Sequence, residues 1–386
     1  MLKFRWETEF KETEIGEIPK DWEIMKLGEV VCIKQGKNIS TLKLKDWGYP
    51  VFGANGLIGY TDTYHYEEPQ VLIACRGSTC GIINWSFPKS FVNNNAMTLL
   101  PKSIDKKFLY FSMQLNFISG RIDETITGTG QPQITKETLE PFLIIYPPLP
   151  EQSRIATVLS YFDDLIEVKK RQNEILEKTA MAIFKSWFID FEPFKNEECV
   201  YNEELGREIP KGWEVKKIGD VIKFIYGEGL PERNRKEGIY PVVGSSGIVG
   251  FHSEYIAEPP TIIIGRKGNA GSVQLFLENS YPIDTVFYSS KHTPPEVIFY
   301  IYHLLKIISL DDMALTDTAV PGLNIHILNS LIIFIPPSPI LQKFHSLVEP
   351  LFQKIILNQK QIMTLRKIRD TLLPLLVFGK LRIEEV

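Results

Sequence analysis

Cysteine is scarce in this sequence, and its arrangement excludes several classes of protein. The four cysteines, Cys32, Cys75, Cys80 and Cys199, form no Cys-x-x-Cys pair and no dense framework. Free thiols in a reducing cytoplasm are therefore expected, rather than the disulfide scaffold of a small secreted protein. A metal site is not expected either, because Cys75 and Cys80 lack a second ligand pair at the spacing of a zinc finger.

Long apolar runs and an excess of positive charge are also missing. No stretch of about 18 apolar residues occurs, so no membrane span is predicted. The charged start, Met1 to Glu7, does not resemble a signal peptide. The formal net charge of −4 weakly disfavours nucleic-acid binding, because such proteins usually carry a basic surface. Charge can be segregated onto one face, so the balance does not exclude DNA as a partner.

Signatures of catalytic sites are missing as well. The sequence has no phosphate-binding Gly-x-x-x-x-Gly-Lys-Ser/Thr loop and no Gly-x-Ser-x-Gly nucleophile elbow. Its Pro-Pro pairs lack the Asn or Asp and the following aromatic residue of an amino-methyltransferase pocket. Glu167-Val168-Lys169 and Glu214-Val215-Lys216 share the spacing of a nuclease motif, but no Pro-Asp pair precedes them. We therefore predict neither catalysis nor a cofactor.

What the sequence does contain is an internal duplication. Segments of the first half return in the second half, the first two of them 191 positions later. The matching segments are Ile18–Ile24 with Ile209–Val215, Pro50–Tyr60 with Pro241–Phe251, and Tyr146–Pro150 with Ile335–Pro339. A unit this long, present only twice, is not a solenoid repeat. It predicts a duplicated domain with its connector, and hence a molecule with pseudo-two-fold symmetry.

Each half is predicted to be a mixed α/β domain followed by a long helix. Short apolar runs bounded by Gly, Pro and Asn, such as Val71–Ala74 and Thr261–Ile264, indicate buried strands. One helix is predicted within each domain, near Lys106–Ile118 and near Pro295–Ile307. The predicted segments are domains at 1–149 and 192–338 and helices at 150–191 and 339–386.

Both long helices carry the apolar spacing of a coiled coil, alternating between three and four residues. The stripes are Leu159, Phe162, Ile166, Lys169, Asn173, Leu176, Ala180 and Ile183, and Val348, Leu351, Ile355, Asn358, Ile362, Leu365, Arg369 and Leu372. Stripes longer than three heptads require a partner helix, and the duplication predicts an antiparallel pair of roughly 40 residues, about 60 Å long. The fold class is therefore α+β, with two similar domains joined by an antiparallel coiled coil. The alternative is two unrelated helices, each packed on its own domain.

Two asparagines interrupt the apolar stripes. Asn173 and Asn358 can specify the register of the helices if they face each other. Alternatively, both lie at the wet edge of the seam.

Several motifs, in order along essentially the whole chain, resemble the specificity subunit of type I restriction–modification systems. These motifs are the domain starts Gly16–Trp22 and Glu208–Trp213, the proline-rich Pro147–Ala156, the helix end Phe184–Phe191, and the carboxy-terminal Thr371–Leu381. The resemblance implies two target recognition domains that each read half of a split, asymmetric sequence in double-stranded DNA. It also implies that the helices serve as a spacer and dock two methyltransferase (modification) subunits, which restriction subunits then join. The chain itself would perform no chemistry.

The start of the second long helix departs from the family pattern. Ile340-Leu341 stands where the first copy has Glu151-Gln152. This difference raises the question of whether the two helix starts contact partner subunits in the same way.

Reading DNA requires cationic groups for phosphates and forked or amide side chains for bases, carried on exposed loops. The candidates are Lys34, Lys37, Asn38, Asn55, Arg76, Thr129 and Gln131 in the first domain, and Arg233, Arg235, Ser245, Arg266, Lys267, Asn269, Thr316 and Thr318 in the second. Arg76 and Lys267 are the first choices, because both follow a buried strand at equivalent positions. A structural turn is predicted for Asn93–Asn95.

Two other functions compete with DNA recognition. One is an enzyme with its site between the domains, and the other is a coiled-coil adaptor with two protein-binding heads. Self-association of the isolated chain into a homodimer is a further open point, because the helices without partners would leave a bare surface.

Overall fold

The computed structural model describes residues 2–128, 130–310 and 322–385. These residues form two compact units. The first unit holds the residues up to Val168 together with those from Ile362 onward, and the second unit holds Lys169–Gln361. Each unit therefore contains part of both long helices.

Short strands alternate with a few helices along the chain. The strands are β1 (Leu2–Trp6), β2 (Phe10–Lys11), β3 (Ile18–Pro19), β4 (Glu23–Lys26), β5 (Val31–Gln35), β6 (Tyr49–Gly53), β7 (Gly56–Thr61), β8 (Val71–Ala74), β9 (Ile83–Trp85), β10 (Phe91–Val92), β11 (Ala96–Pro101), β12 (Leu143–Tyr146), β13 (Cys199–Asn202), β14 (Arg207–Pro210), β15 (Glu214–Lys217), β16 (Phe224–Tyr226), β17 (Tyr240–Gly244), β18 (Gly247–His252), β19 (Thr261–Gly265), β20 (Val273–Phe276), β21 (Tyr281–Pro282), β22 (Val286–Ser289), β23 (Ile332–Ile335) and β24 (Leu381–Glu385). The helices are α1 (Leu27–Val30), α2 (Lys106–Ile118), α3 (Lys136–Leu139), α4 (Leu149–Phe188), α5 (Ile218–Val221), α6 (Pro295–Ile308), α7 (Ile325–Ser330) and α8 (Ser338–Val377).

The first unit is built around an antiparallel sheet with the strand order β5-β11-β8-β9. All four residues of β8 are buried, which explains why Val71–Ala74 is an uninterrupted apolar run. A smaller sheet, β10-β6-β7, lies beside it. Helix α2 packs on the main sheet and is capped by Asp105, whose carboxylate accepts hydrogen bonds from the backbone N–H groups of Lys107 and Phe108.

The second unit repeats this arrangement. Its main sheet has the order β16-β22-β19-β20, and its smaller sheet has the order β18-β17-β21. The strand registers correspond as well. In each unit, three residues on three neighbouring strands of the main sheet lie side by side in one row. The rows are Gln35, Met97 and Ile73 in the first unit and Tyr226, Phe287 and Ile264 in the second.

Most of the predicted elements are confirmed, and the ends of the long helices are the main exceptions. Helix α2 has the predicted bounds, and α6 is one residue longer than predicted. The prediction of helix to residue 386 was wrong, because α8 ends at Val377 and Leu381–Glu385 forms a strand that pairs with β1. Gly379 makes this possible, since it adopts a φ of +68° and has no room for a side chain against Pro19. Helix α4 similarly ends at Phe188, before the predicted residue 191.

The two long helices run antiparallel where they meet inside each unit. In the first unit, Arg154 contacts the Ile383 carbonyl that follows α8, while Asp163, farther along α4, contacts Arg369. In the second unit, Asn173 faces Asn358, while Phe184 packs on Phe344. Every position of the two predicted stripes is buried or half-buried. The predicted coiled-coil seam is thus confirmed, and the alternative of two unrelated helices is wrong.

Candidate nucleic-acid interface

In the first unit, the loops that carry the predicted DNA contacts meet at one edge of the main sheet. The antiparallel register places the end of β5, the start of β11 and the end of β8 side by side. The Gly36 N–H donates to the Ala96 carbonyl at 3.0 Å, and the Cys75 N–H donates to the Asn95 carbonyl at 2.9 Å. Gly36 is required here, because a Cβ atom would lie 1.9 Å from the Asn93 carbonyl oxygen. We call residues 34–38, 53–56, 75–78 and 93–96 the first strand-end cluster.

The β6–β7 hairpin and the segment before α3 complete this edge. The Asn93 N–H donates to the Phe52 carbonyl at 2.8 Å, which holds the hairpin with exposed Asn55 against the cluster. Arg76 pairs through its backbone with Gln133, close to the exposed Gln131. The structure therefore brings Lys34, Lys37, Asn38, Asn55, Arg76 and Gln131 to one edge.

Asn93–Asn95 forms the structural turn that was predicted. Asn93 is almost fully buried, and its side-chain oxygen accepts a hydrogen bond from the Asn95 N–H at 2.9 Å. An asparagine that closes its own turn in this way is positioned for structure rather than for contact with a base.

In the second unit, the equivalent loops meet in the same way. The Arg266 N–H donates to the Thr285 carbonyl at 2.9 Å, as Cys75 does to Asn95 in the first unit. The Ser245 hydroxyl at the β17–β18 hairpin accepts a hydrogen bond from the Asn269 N–H at 3.5 Å, so the hairpin touches the Lys267 loop. We call residues 225–228, 244–247, 266–269 and 283–286 the second strand-end cluster.

Arg76 and Lys267 are equivalent in three dimensions as well as in the sequence. Each follows the central strand of its sheet, and each pairs through its backbone with the segment that precedes a short helix, at Gln133 and at Gly322. Both side chains are exposed, and neither forms a hydrogen bond or ion pair with another residue of the described ranges. They are thus available to a ligand at the strand-end clusters.

Some predicted residues are engaged elsewhere or fall outside the structure. The Arg235 guanidinium donates to the Val249 carbonyl on β18 at 2.7 Å, which ties the turn that contains exposed Arg233 to this strand. Ser245 is buried, and its carbonyl accepts a hydrogen bond from the Ser272 hydroxyl at 2.8 Å. Thr129, Thr316 and Thr318 lie outside the described residues.

Arg266 is among the candidates predicted from the sequence, but Gln35, Cys75 and Tyr226 are not. These four residues form one pair of contacting side chains in each cluster. The Gln35 amide nitrogen donates to the Asn94 carbonyl at 2.6 Å and to the Cys75 sulfur at 3.3 Å. Burial raises the pKa of the Cys75 thiol, so the sulfur stays protonated near neutral pH. At the matching positions, the Arg266 guanidinium lies 5.1 Å from the centre of the Tyr226 ring. The repeat offset of 191 residues could have pointed to these positions, because it aligns Gln35 with Tyr226 and Cys75 with Arg266.

Contacts inside each unit explain why the second long helix starts with Ile340-Leu341 where the first has Glu151-Gln152. The Glu151 carboxylate accepts from the Trp22 indole at 3.0 Å and from Arg382 at 2.5 Å. The Gln152 side chain accepts from the Asp105 N–H at 2.8 Å and donates to the Pro147 carbonyl at 2.7 Å. Both side chains are buried in the first unit, whereas Leu341 is buried in the apolar core of the second unit. The difference therefore reflects packing within each unit.

Within residues 2–128, 130–310 and 322–385, no group of three or more His, Cys, Asp or Glu side chains is placed to hold a metal ion. Among the same residues, no helix combines the length and apolar character that crossing a membrane requires.

A family model described as the type I restriction modification DNA specificity domain matches residues 19–178 and again 210–367. The chain belongs to this family. Each matched region of this type I specificity chain covers one mixed α/β portion and most of the long helix that follows it. The two matches therefore coincide with the internal duplication.

Individual relatives agree with this assignment. The chain is 39% identical to the type I restriction enzyme MjaIX specificity subunit of Methanocaldococcus jannaschii, over 100% of this chain and 99% of that protein. It is 23% identical to the type I restriction enzyme HindI specificity subunit of Haemophilus influenzae, over 75% of this chain and 79% of that protein. The solved S subunit of a type I system from M. genitalium shares the fold, with a TM-score of 0.64 and 22% identity over 92% of this chain and 96% of that one.

Proposed function

We propose that this type I specificity chain reads a split, asymmetric target in double-stranded DNA, with each strand-end cluster contacting one half. The observation that carries the proposal is a repeated backbone frame with different side chains. Cys75 and Arg266 make the same two backbone hydrogen bonds, to Asn95 and Ile134 in the first unit and to Thr285 and Leu323 in the second. The exposed side chains beside this frame differ, since Gln35 in the first unit corresponds to Tyr226 in the second, and this difference suits two different half-sites.

The cationic side chains of the clusters would hold the phosphate backbone. Lys34, Lys37, Arg76 and Lys267 are all exposed at or next to the strand ends. Contacts of this kind set the position and orientation of a protein on DNA without reading sequence. In the first unit they also reconcile DNA binding with a net charge of −4, because the first strand-end cluster holds Lys34, Lys37 and Arg76 and no acidic residue.

The long helices would dock two methyltransferase subunits, which restriction subunits then join. Helix α4 leaves Tyr161, Val168 and Ile175 exposed at intervals of seven residues, which is the spacing that packs against another helix. The relatives are specificity subunits of type I restriction enzymes. On this proposal the chain performs no chemistry and acts with its partners on DNA in the cytoplasm. Its recognition domains would span 1–149 and 192–338.

The test is a reconstitution with methyltransferase subunits of a type I system. The full chain, these subunits and S-adenosylmethionine are incubated with genomic DNA, and the methylated adenines are located by sequencing. We expect methylation at one split sequence with a constant gap, and only when the chain is present. Methylation that is absent or independent of the chain would contradict the proposal.

The same preparation separates the competing functions. Turnover of a substrate by the chain alone would indicate an enzyme. Binding of the partner subunits without any effect of DNA would indicate a protein-binding adaptor.

A further inference from the structure

One position in each strand-end cluster has the same backbone surroundings but a different chemical character. Gln35 and Tyr226 both end the first strand of the main sheet, and each pairs with the next strand, at Met97 and Phe287. Cys75 and Arg266 both directly follow the central strand. Each strand-end residue therefore contacts the residue that follows the central strand, as Gln35–Cys75 in the first unit and Tyr226–Arg266 in the second.

In the first unit, the contacts of Gln35 decide which atom it can offer a ligand. Its amide nitrogen donates to the Asn94 carbonyl and to the Cys75 sulfur, at 2.6 and 3.3 Å. Both N–H hydrogens are thus engaged, and the side-chain oxygen is left as an acceptor on an exposed residue. In the DNA major groove, an acceptor pairs with the exocyclic amino groups, N6 of adenine and N4 of cytosine.

In the second unit, Tyr226 and the loop beside it hold Arg266. The Tyr226 ring packs edge-on against Phe287 with 5.0 Å between the ring centres, and the guanidinium of Arg266 lies over its exposed face. One guanidinium nitrogen, Nη1, donates to the Asp284 carbonyl at 3.0 Å. The remaining N–H groups form a forked donor, which matches O6 and N7 of guanine.

We propose that these two pairs determine sequence specificity. Gln35, positioned by Cys75, reads an amino-bearing base in one half-site, and Arg266, positioned by Tyr226, reads a guanine in the other half-site. The inference rests on the proposed function and adds which residues read bases and which chemical groups they recognise. Arg76 and Lys267, one residue farther along the chain, lie beside the two pairs.

The experiment selects bound duplexes from a pool of random 40-base-pair DNA, using the full chain in complex with its methyltransferase subunits. Sequencing of the bound fraction gives the base preference at every position of both half-sites. For the wild-type complex, we expect adenine or cytosine at a specified position of one half and guanine at a specified position of the other.

Two substitutions test the base-reading residues. Gln35→Met keeps the size of the side chain but removes its acceptor, and Arg266→Lys keeps the charge but removes the fork. Gln35→Met removes one hydrogen bond and should weaken the preference at a single position by about 2- to 12-fold. Arg266→Lys removes one arm of a bidentate contact and should weaken the guanine preference by about 5-fold. Each variant should leave the other half-site unchanged.

Paired substitutions test the positioning residues. Cys75→Ser keeps a polar partner for the Gln35 amide and should retain the preference, whereas Cys75→Val should weaken it. Tyr226→Phe keeps the ring under Arg266 and should retain the guanine preference, whereas Tyr226→Leu should weaken it. Circular dichroism and thermal unfolding establish that each variant is folded before selection.

The outcomes separate this inference from the proposed function. If the wild-type complex selects no split motif, the proposed function itself fails. The inference alone is overturned if a split motif emerges but Gln35→Met and Arg266→Lys leave it unchanged or weaken both halves equally. A wild-type motif with no guanine at the position that responds to Arg266 would also overturn it.

Discussion

In the second unit, the side-chain nitrogen of Asn358 donates to the side-chain oxygen of Asn173 at 2.9 Å, across the seam between α8 and α4. Asn358 is completely buried, so the pair lies within the seam rather than at its wet edge. A polar pair inside an apolar seam favours the one register in which its members meet. The structure therefore supports the interpretation that these two asparagines specify the register of the helices.

Replacing both asparagines with leucine should stabilise the protein but loosen the alignment of the helices. The Asn358 side-chain oxygen has no partner within the described residues, and leaving such a group buried costs about 1–3 kcal/mol. We expect Asn173→Leu/Asn358→Leu to raise the free energy of unfolding by about 1 kcal/mol, measured by urea denaturation. Asn173→Leu alone is the control and should be destabilising, because Asn358 would keep only its longer hydrogen bond, at 3.4 Å, to the Gln172 side-chain oxygen. A double variant less stable than the wild type would contradict this prediction.

A buried histidine should make the second unit sensitive to acid. His303 lies among Phe184, Phe344 and Phe352, and burial lowers its pKa from 6.5 to about 4. The ring is therefore neutral in the folded state, while the unfolded chain binds a proton below pH 6.5. Stability should be lost as the pH falls below 6.5 and should level off below the folded pKa, with about 2 kcal/mol lost between pH 7.5 and 5.

The measurement for His303 is urea unfolding at pH 7.5 and at pH 5. His303→Leu should remove this part of the pH dependence, while other titrating groups continue to contribute. His326→Leu, on the exposed side of α7, is the matched control and should keep the wild-type slope. Equal slopes for the wild type and both variants would show that His303 is not responsible.

Arg382 should contribute strongly to the stability of the first unit. Its guanidinium donates to the carboxylates of Glu7, Asp21 and Glu151 at 2.5–2.9 Å. Burial would raise the pKa of Glu7, but hydrogen bonds from Arg382 and from backbone N–H groups hold it at about 2. Arg382→Ala would remove the cation that pairs with buried Glu151 and leave Glu7 with only the longer pair to Arg5, at 3.6 Å, and we expect a loss of about 3–5 kcal/mol.

Far-ultraviolet circular dichroism during denaturant unfolding measures this loss, and tryptophan fluorescence can follow it as well, since the Trp22 ring centre lies 5.7 Å from the Arg382 guanidinium carbon. Lys20→Ala is the matched control, because Lys20 pairs with Glu9 in the same unit and both side chains are exposed. That change should cost less than about 1 kcal/mol. Similar losses for both variants would show that burial of the carboxylates does not determine how much the free energy of unfolding falls.

Arg76 and Lys267 should each contribute to DNA affinity. If the side chain contacts a phosphate, Arg76→Ala or Lys267→Ala should lower the number of released counterions by about one, measured from the slope of log affinity against log salt concentration. A contact with a base would instead cost about 1–3 kcal/mol and change the sequence preference. Lys11→Ala, at an exposed position on β2, is the control. If both cluster variants behave like Lys11→Ala, these residues are not part of the interface.

The sequence alone determined the features that depend on periodicity and repetition. The three-and-four spacing from Leu159 to Ile183 predicted a seam, because residues at that spacing share one face of a helix. The repeated segments predicted two similar units, because chains with the same pattern of apolar runs and turns form the same core. The equivalence of Arg76 and Lys267 followed from this repetition.

Only the tertiary structure decided which distant residues meet. Arg382 contacts Glu7 and Asp21 because β24 pairs with β1, and no local pattern predicts pairing between residues so far apart in the chain. Gln35 meets Cys75, and Tyr226 meets Arg266, because the strand register places their ends at one edge. Helical and strand preferences act over a few residues, whereas such contacts depend on how whole sheets pack. For this reason the sequence indicated the loops of the two strand-end clusters, and the fold determined which side chains within them lie together.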